Sequence, residues 1–140
     1  MPSGSCDRRS FVRLGGAALS AVPTVGCLRR RPTAARRVTM TDAFAFDPRT
    51  ATVGAGRTVR WENESDVGHT VTAYGDAVPS DARYFASGGF DSERAARAGV
   101  TEGLVPPGGE YEHAFEEPGT YGYFCIPHES SGMVGTVRVE

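Results

Sequence analysis

From residue 110 to residue 116 polar and apolar positions alternate. Tyr111, His113 and Phe115 fall on one face of an extended segment, and Glu110, Glu112 and Glu116 fall on the other. A period of two marks a half-buried strand. The alternation resumes after the Pro118-Gly119 turn, where Tyr121, Tyr123 and Cys125 share a face, and residues 134–139 close the chain in the same way. Upstream, residues 38–41, Phe44 with Phe46, residues 50–53, 58–63 and 69–73 read as further short strands. Asp47-Pro48, Gly54-Ala-Gly56 and the loop 64–68 separate them. Seven or so short strands with Gly and Pro turns between them predict an all-β sandwich. Only between residues 74 and 109 does the pattern loosen. Residues 92–98 have the composition of a short helix with Asp91 or Ser92 as its N-cap. A connection this long inside a compact domain is usually functional or ordered by local structure.

The first 37 residues do not share this pattern. Arg8-Arg9-Ser10-Phe11 precedes a weakly apolar run, residues 14–22, that is too short to span a bilayer. This is the form of an export signal, and its paired arginines resemble the twin-arginine type. Pro23-Thr24-Val25-Gly26-Cys27 resembles a lipobox, in which the cysteine becomes lipidated. One acyl modification anchors weakly, and Arg29, Arg30, Arg31, Arg36 and Arg37 could add attraction to anionic head groups. The expected organisation is therefore an export signal over 1–27, a basic linker over 28–37 and one folded domain over 38–140. About 100 residues suffice for a single modest core.

Charge narrows the set of partners. The chain carries −2 overall, but from Val38 onward 7 Arg stand against 16 Asp and Glu, a net of −9, and there is no Lys anywhere. Such a surface repels phosphate and excludes nucleic acid as a partner. Halophilic adaptation would explain it, since high salt screens self-repulsion. A GC-rich genome that writes Arg for Lys would explain the missing lysine equally well. The cysteines are Cys6, Cys27 and Cys125, so the folded part keeps one and has no internal disulfide. A single cysteine in an exported domain is a free thiol or a committed ligand.

Candidate chemistry gathers near the C-terminus, in Tyr121-Gly-Tyr-Phe-Cys125-Ile-Pro-His128-Glu-Ser-Ser-Gly-Met133. Strand parity points Cys125 inward, Pro127 turns the chain so that His128 can swing back, and Gly132 permits the turn that returns Met133. A thiolate, an imidazole and a thioether together suit copper cycling between its oxidation states. His69 opens a separate strand beneath a loop and can supply a second imidazole. His113 shares its face with Tyr111 and Phe115 and reads as a packed histidine instead. Two imidazoles, a thiolate and a weak axial methionine describe a blue-copper electron-transfer site.

The spacing Cys-x-x-His-x-x-x-x-Met, with a histidine upstream, resembles the plastocyanin group of cupredoxins over residues 38–140. Tyr121-Gly-Tyr-Phe-Cys-Ile-Pro-His128, the Gly132-Met-Val-Gly135 close and the Phe46-Asp-Pro opening resemble the halocyanins in particular. The resemblance implies a cupredoxin-like Greek-key β-sandwich of seven to eight strands. It also implies one Cu(I)/Cu(II) ion on His69, Cys125, His128 and Met133. The protein would then be a monomeric single-electron carrier and not an enzyme. Its donor and acceptor would be membrane redox proteins of a respiratory chain, met on the extracytoplasmic face. The alternative is an extracytoplasmic copper carrier or chaperone, although Met-rich and His-rich tracts are missing. Two positions depart from the family pattern: Thr70 stands where Asn is common after the first histidine. Gly68 stands where plastocyanins have Pro, as in azurins.

Overall fold

The computed structural model describes residues 35–140. The export-signal and lipobox expectations, with Cys6, Cys27 and Arg29 to Arg31, lie outside the described residues. Strands β1 (Arg36–Met40), β2 (Phe46–Asp47), β3 (Thr50–Val53), β4 (Arg57–Asn63), β5 (Thr72–Ala73), β6 (Glu110–Phe115), β7 (Gly119–Phe124) and β8 (Val134–Val139) form two sheets. The first is ordered β2-β1-β4-β6 and the second β3-β8-β7-β5. β1 runs parallel to β4 and β3 parallel to β8, whereas the other pairings are antiparallel.

Alternation decides what lies between the sheets. On β4 the inward set is Val59, Trp61 and Asn63, all buried, while Thr58, Arg60 and Glu62 face outward. Arg60 there bonds Glu112 across the strand pair at 2.8 Å, on the face that the acidic residues of β6 occupy. Trp61 is wholly buried and meets Tyr123 edge-on, with ring centroids 5.3 Å apart. Phe85, Phe115 and Tyr121 complete this aromatic centre. Gly135 on β8 makes room for it: a Cβ at this position would lie 2.5 Å from the Tyr123 hydroxyl.

Three local readings change. Arg36 and Arg37, expected in the linker, open β1, where they pair with Val59 and Arg60. Phe44 does not alternate with Phe46 as a strand residue. It takes a left-handed φ of 58° in the turn closed by Thr41 and Ala45, and it stays exposed while Phe46 is buried. The segment 69–73 is strand only at Thr72 and Ala73. Its other backbone groups pair with the long connection: His69 N–H with Val105 O at 3.2 Å and Ser87 N–H with Val71 O at 2.7 Å.

That connection is therefore an irregular edge to the second sheet. It holds a helical turn at Gly75–Ala77, the helix Glu93–Ala98 and a further turn at Val100–Gly103. Ser92 is the helix N-cap, its hydroxyl accepting from Ala95 N–H at 3.1 Å. Capping satisfies one of the amide donors that every helix start leaves free.

Candidate metal centre

At one end of the sandwich three side chains converge. The Sγ of Cys125 lies 3.3 Å from His128 Nδ1 and 3.7 Å from His69 Nδ1, and the two imidazole nitrogens are 3.1 Å apart. A triangle with these sides has an interior point about 2.0 Å from all three atoms, close to the length of a metal–nitrogen bond and a little short of a metal–thiolate one. His69, Cys125 and Met133 are wholly buried and His128 is half-buried. Burial pushes the Cys125 thiol up, against the pull of the Thr70 and His128 backbone N–H groups. Burial, and then the neighbouring His128, hold His69 below the ordinary imidazole range. Both effects disfavour charge among these three side chains, and a bound cation would balance a thiolate there.

The segment carrying Cys125, His128 and Met133 is closed on itself. Cys125 N–H donates to Met133 O at 3.0 Å, His128 N–H to Cys125 O at 3.2 Å, and Met133 N–H to His128 O at 3.2 Å. Gly132, at φ 88°, makes the return possible. A left-handed φ is readily available to glycine and costly for other residues. Phe124 ends β7 and fixes where Cys125 begins, while Val134 opens β8 directly after Met133.

Thr70 staples this loop to the His69 segment. Its hydroxyl accepts from Ile126 N–H at 2.8 Å, and its own N–H donates to Cys125 Sγ at 3.3 Å. Thr70 thus links the His69 segment to the loop that carries Cys125 and His128. On the far side of His69, Nε2 lies 2.8 Å from the buried Ser65 hydroxyl. Around His128, Phe44 stacks on the imidazole with centroids 4.4 Å apart and planes 12° from parallel.

The long connection braces the loop as well. Arg97, on the helix Glu93–Ala98, bonds Glu129 at 3.0 Å and Glu93 at 2.8 Å, and its guanidinium sits 4.4 Å over the Phe124 ring. Tyr74 O–H also donates to Glu129, at 2.7 Å. The Arg97 guanidinium, foremost, holds the Glu129 carboxyl below the usual carboxylate range.

His113 stays apart from this cluster. It stacks on Phe85, 4.9 Å between centroids, and burial lowers its pKa to about 4. Phe44, Ser65, Asn63 and Arg97 were not among the residues that the sequence singles out. A signal existed for one of them, since Asn63 shares the inward parity of Val59 and Trp61 on β4. A polar residue there needs partners. Nothing local announces Phe44 or Arg97, whose roles depend on contacts remote in the chain.

One thiolate, two imidazoles and a thioether make a soft donor set of the kind that selects copper. A family model described as copper binding proteins, plastocyanin/azurin family, matches residues 33–140. The chain belongs to this family. Its cofactor is copper, and its fold is the cupredoxin β-sandwich. A plastocyanin of Scenedesmus fuscus is 38% identical over 98 residues, which cover 70% of this chain and 89% of the relative. A chloroplastic plastocyanin of Tetradesmus obliquus is 37% identical over 98 residues, covering 70% of this chain and 60% of its length. Among solved structures, a mutant amicyanin in its Cu(I) form superposes with a TM-score of 0.56 at 24% identity, covering 76% of this chain and 82% of that one. A purple cupredoxin from Nitrosopumilus maritimus gives 0.53 at 22% identity, covering 75% and 99%. At such identities these two structures speak for the fold alone.

Proposed function

We propose that this cupredoxin is a mononuclear type 1 copper protein that shuttles single electrons between membrane redox proteins of a respiratory chain. The ligands are His69, Cys125, His128 and Met133, and the chain is held on the extracytoplasmic face by lipid on Cys27. The observation that carries the copper assignment is the triangle of Cys125 Sγ, His69 Nδ1 and His128 Nδ1, with no side of it longer than 3.7 Å. Bound copper supplies a one-electron couple, Cu(I)/Cu(II), and no covalent bond changes, so no enzyme activity is assigned.

The protein's own residues do the rest. Three backbone hydrogen bonds within the loop, the Thr70 staple and the Arg97 brace tie the donor-bearing segments to one another. Little rearrangement then accompanies the transfer. His128 alone of the three clustered donors reaches toward solvent. Among the described residues, Phe44, Val67 and Leu104 are the exposed large hydrophobic ones, at 37%, 43% and 40%. All three attach to this end: Phe44 on His128, Val67 just before the His69 segment, and Leu104 closest to the space beside Gly68. An apolar rim around an imidazole edge suits brief docking over a small interface. The acidic surface would steer toward a basic partner.

The deciding experiment is a visible spectrum of the protein loaded with Cu(II), beside a Cys125→Ser variant. An intense mid-visible band, lost in the variant, is expected. A colourless site that exchanges its metal would replace electron transfer with the carrier reading. Anchoring is tested separately, by detergent partitioning of the full chain and of Cys27→Ser; equal partitioning would remove the lipid from the proposal.

A further inference from the structure

His69 has two ring nitrogens, and a metal ligand needs one of them free of its proton. We propose that Ser65 and Asn63 are positioning residues of this site: their hydrogen-bond relay keeps the His69 proton on Nε2 and leaves Nδ1 open before any metal arrives.

The proton count follows from the partners. The Asn63 Nδ2 amide group donates to two backbone carbonyls, Val67 O at 2.8 Å and Val105 O at 2.9 Å. That fixes the orientation of the amide, so Oδ1 faces Ser65. Oδ1 accepts from Ser65 N–H at 2.9 Å and lies 2.7 Å from Ser65 Oγ. A second carbonyl, Val67 O, stands 3.0 Å from the same Oγ. Neither carbonyl-type oxygen carries a proton, so the short contact requires the hydroxyl hydrogen of Ser65 to point at one of them. If that hydrogen turned to His69 instead, Oγ would face two bare oxygens inside the protein. The hydroxyl therefore accepts from His69, and the 2.8 Å contact to Nε2 is an Nε2–H donor bond. Asn63, Ser65 and His69 are 2%, 4% and 0% exposed, so water offers no substitute.

The other side of the ring agrees. Nδ1 faces Cys125 Sγ and His128 Nδ1, and as an acceptor it can take a proton-bearing partner in the metal-free protein or a metal in its place. Val105 ties the arrangement to the backbone, since its N–H donates to His69 O at 2.7 Å and its carbonyl accepts from both His69 N–H and Asn63. The imidazole is thus held at its backbone and at Nε2. The consequence for metal binding rests on the copper reading, but the location of the proton does not.

Long-range nitrogen–proton NMR of His69 in the metal-free protein reads the tautomer directly. Wild type and Ser65→Thr are expected as the Nε2–H form, and Ser65→Ala as a mixture containing Nδ1–H. Removing such an outer partner typically costs 10–100-fold in metal affinity, so Cu(I) binding by Ser65→Ala should weaken by about that factor. An Nδ1–H tautomer in the wild type would overturn the proposal, and so would an unchanged tautomer in Ser65→Ala. Should Ser65→Ala not fold, the wild-type spectrum decides alone. Failure of the copper reading looks different: wild type would take up no coloured Cu(II), whatever the tautomer.

Discussion

Replacing Thr70 by Val isolates the staple between the His69 segment and the loop of Cys125 and His128. The shapes match closely, so packing is preserved while the hydroxyl is lost. Two donors then lose their acceptor: Ile126 N–H at 2.8 Å and the Thr72 hydroxyl at 3.1 Å. Thr70 and Thr72 are each 1% exposed, and Ile126 is half-buried. Leaving a buried donor unsatisfied costs roughly 1–3 kcal/mol. The Thr72 hydroxyl can rotate to another acceptor, whereas the Ile126 amide is fixed by the loop and cannot. The Thr70 N–H bond to Cys125 Sγ survives, because it belongs to the backbone. The net loss should be about 2 kcal/mol. With a urea slope of roughly 1–3 kcal/mol per molar, the midpoint of metal-free unfolding should fall by about 1 M. Urea titration at fixed salt, followed by tryptophan fluorescence of the buried Trp61, measures it. An unchanged midpoint would refute the claim that this hydroxyl links the loops, and a changed slope would move the effect into the unfolded state.

Other expected outcomes test the frame around the site. Arg97→Met should lower stability by about 1 kcal/mol, since a half-exposed ion-pair network and one cation–π contact are each worth roughly that or less. Its loss should appear first as faster amide exchange over the helical segment Ile126–Ser131, and unaltered exchange there would contradict the brace. Gly135→Ala puts a methyl group 2.5 Å from the Tyr123 hydroxyl, and such overpacking costs about 1–3 kcal/mol, readable as a lower melting temperature. His113 is neutral in the fold because burial, then Arg83, lowers its pKa from 6.5 to about 4. The unfolded chain therefore binds this proton more readily. The His113 contribution to stability is complete above pH 6.5 and is lost as pH falls through that window toward 4. His113→Phe keeps the stack on Phe85 and should abolish this part of the slope, on the order of 1 kcal/mol after discounting for partial exposure. Asp81, Arg83, Glu116 and Glu117 line the same groove, so melts of the two proteins are compared at each pH, and parallel curves would disprove it.

The loop that brings Cys125, His128 and Met133 to one end of the sandwich was legible in the sequence because its determinants are local. Cys125, His128 and Met133 are set by parity, Pro127 and Gly132, and β6, β7 and β8 announce themselves by strict alternation. The helix Glu93–Ala98 was visible too, with Ser92 as one of its two candidate caps. Phe44 was misread because alternation with Phe46 cannot report a left-handed φ in the turn between them. Residues 69–73 were overextended for a different reason: their partners, Val105 and Ser87, lie on an irregular connection with no strand pattern of its own. The relay through Ser65 and the brace from Arg97 are long-range hydrogen bonds, and periodicity carries no information about them.

The parallel pairing of β3 with β8 also governs timing. Thr50 pairs with Thr136, so the second sheet cannot be joined across its centre until the chain beyond Met133 has been made. His69 likewise meets Cys125 across a separation of 56 residues. Contacts so distant in sequence form slowly, because loop closure precedes any reward. The donor triangle therefore depends on long-range closure as well as on the local turn that carries Cys125 and His128.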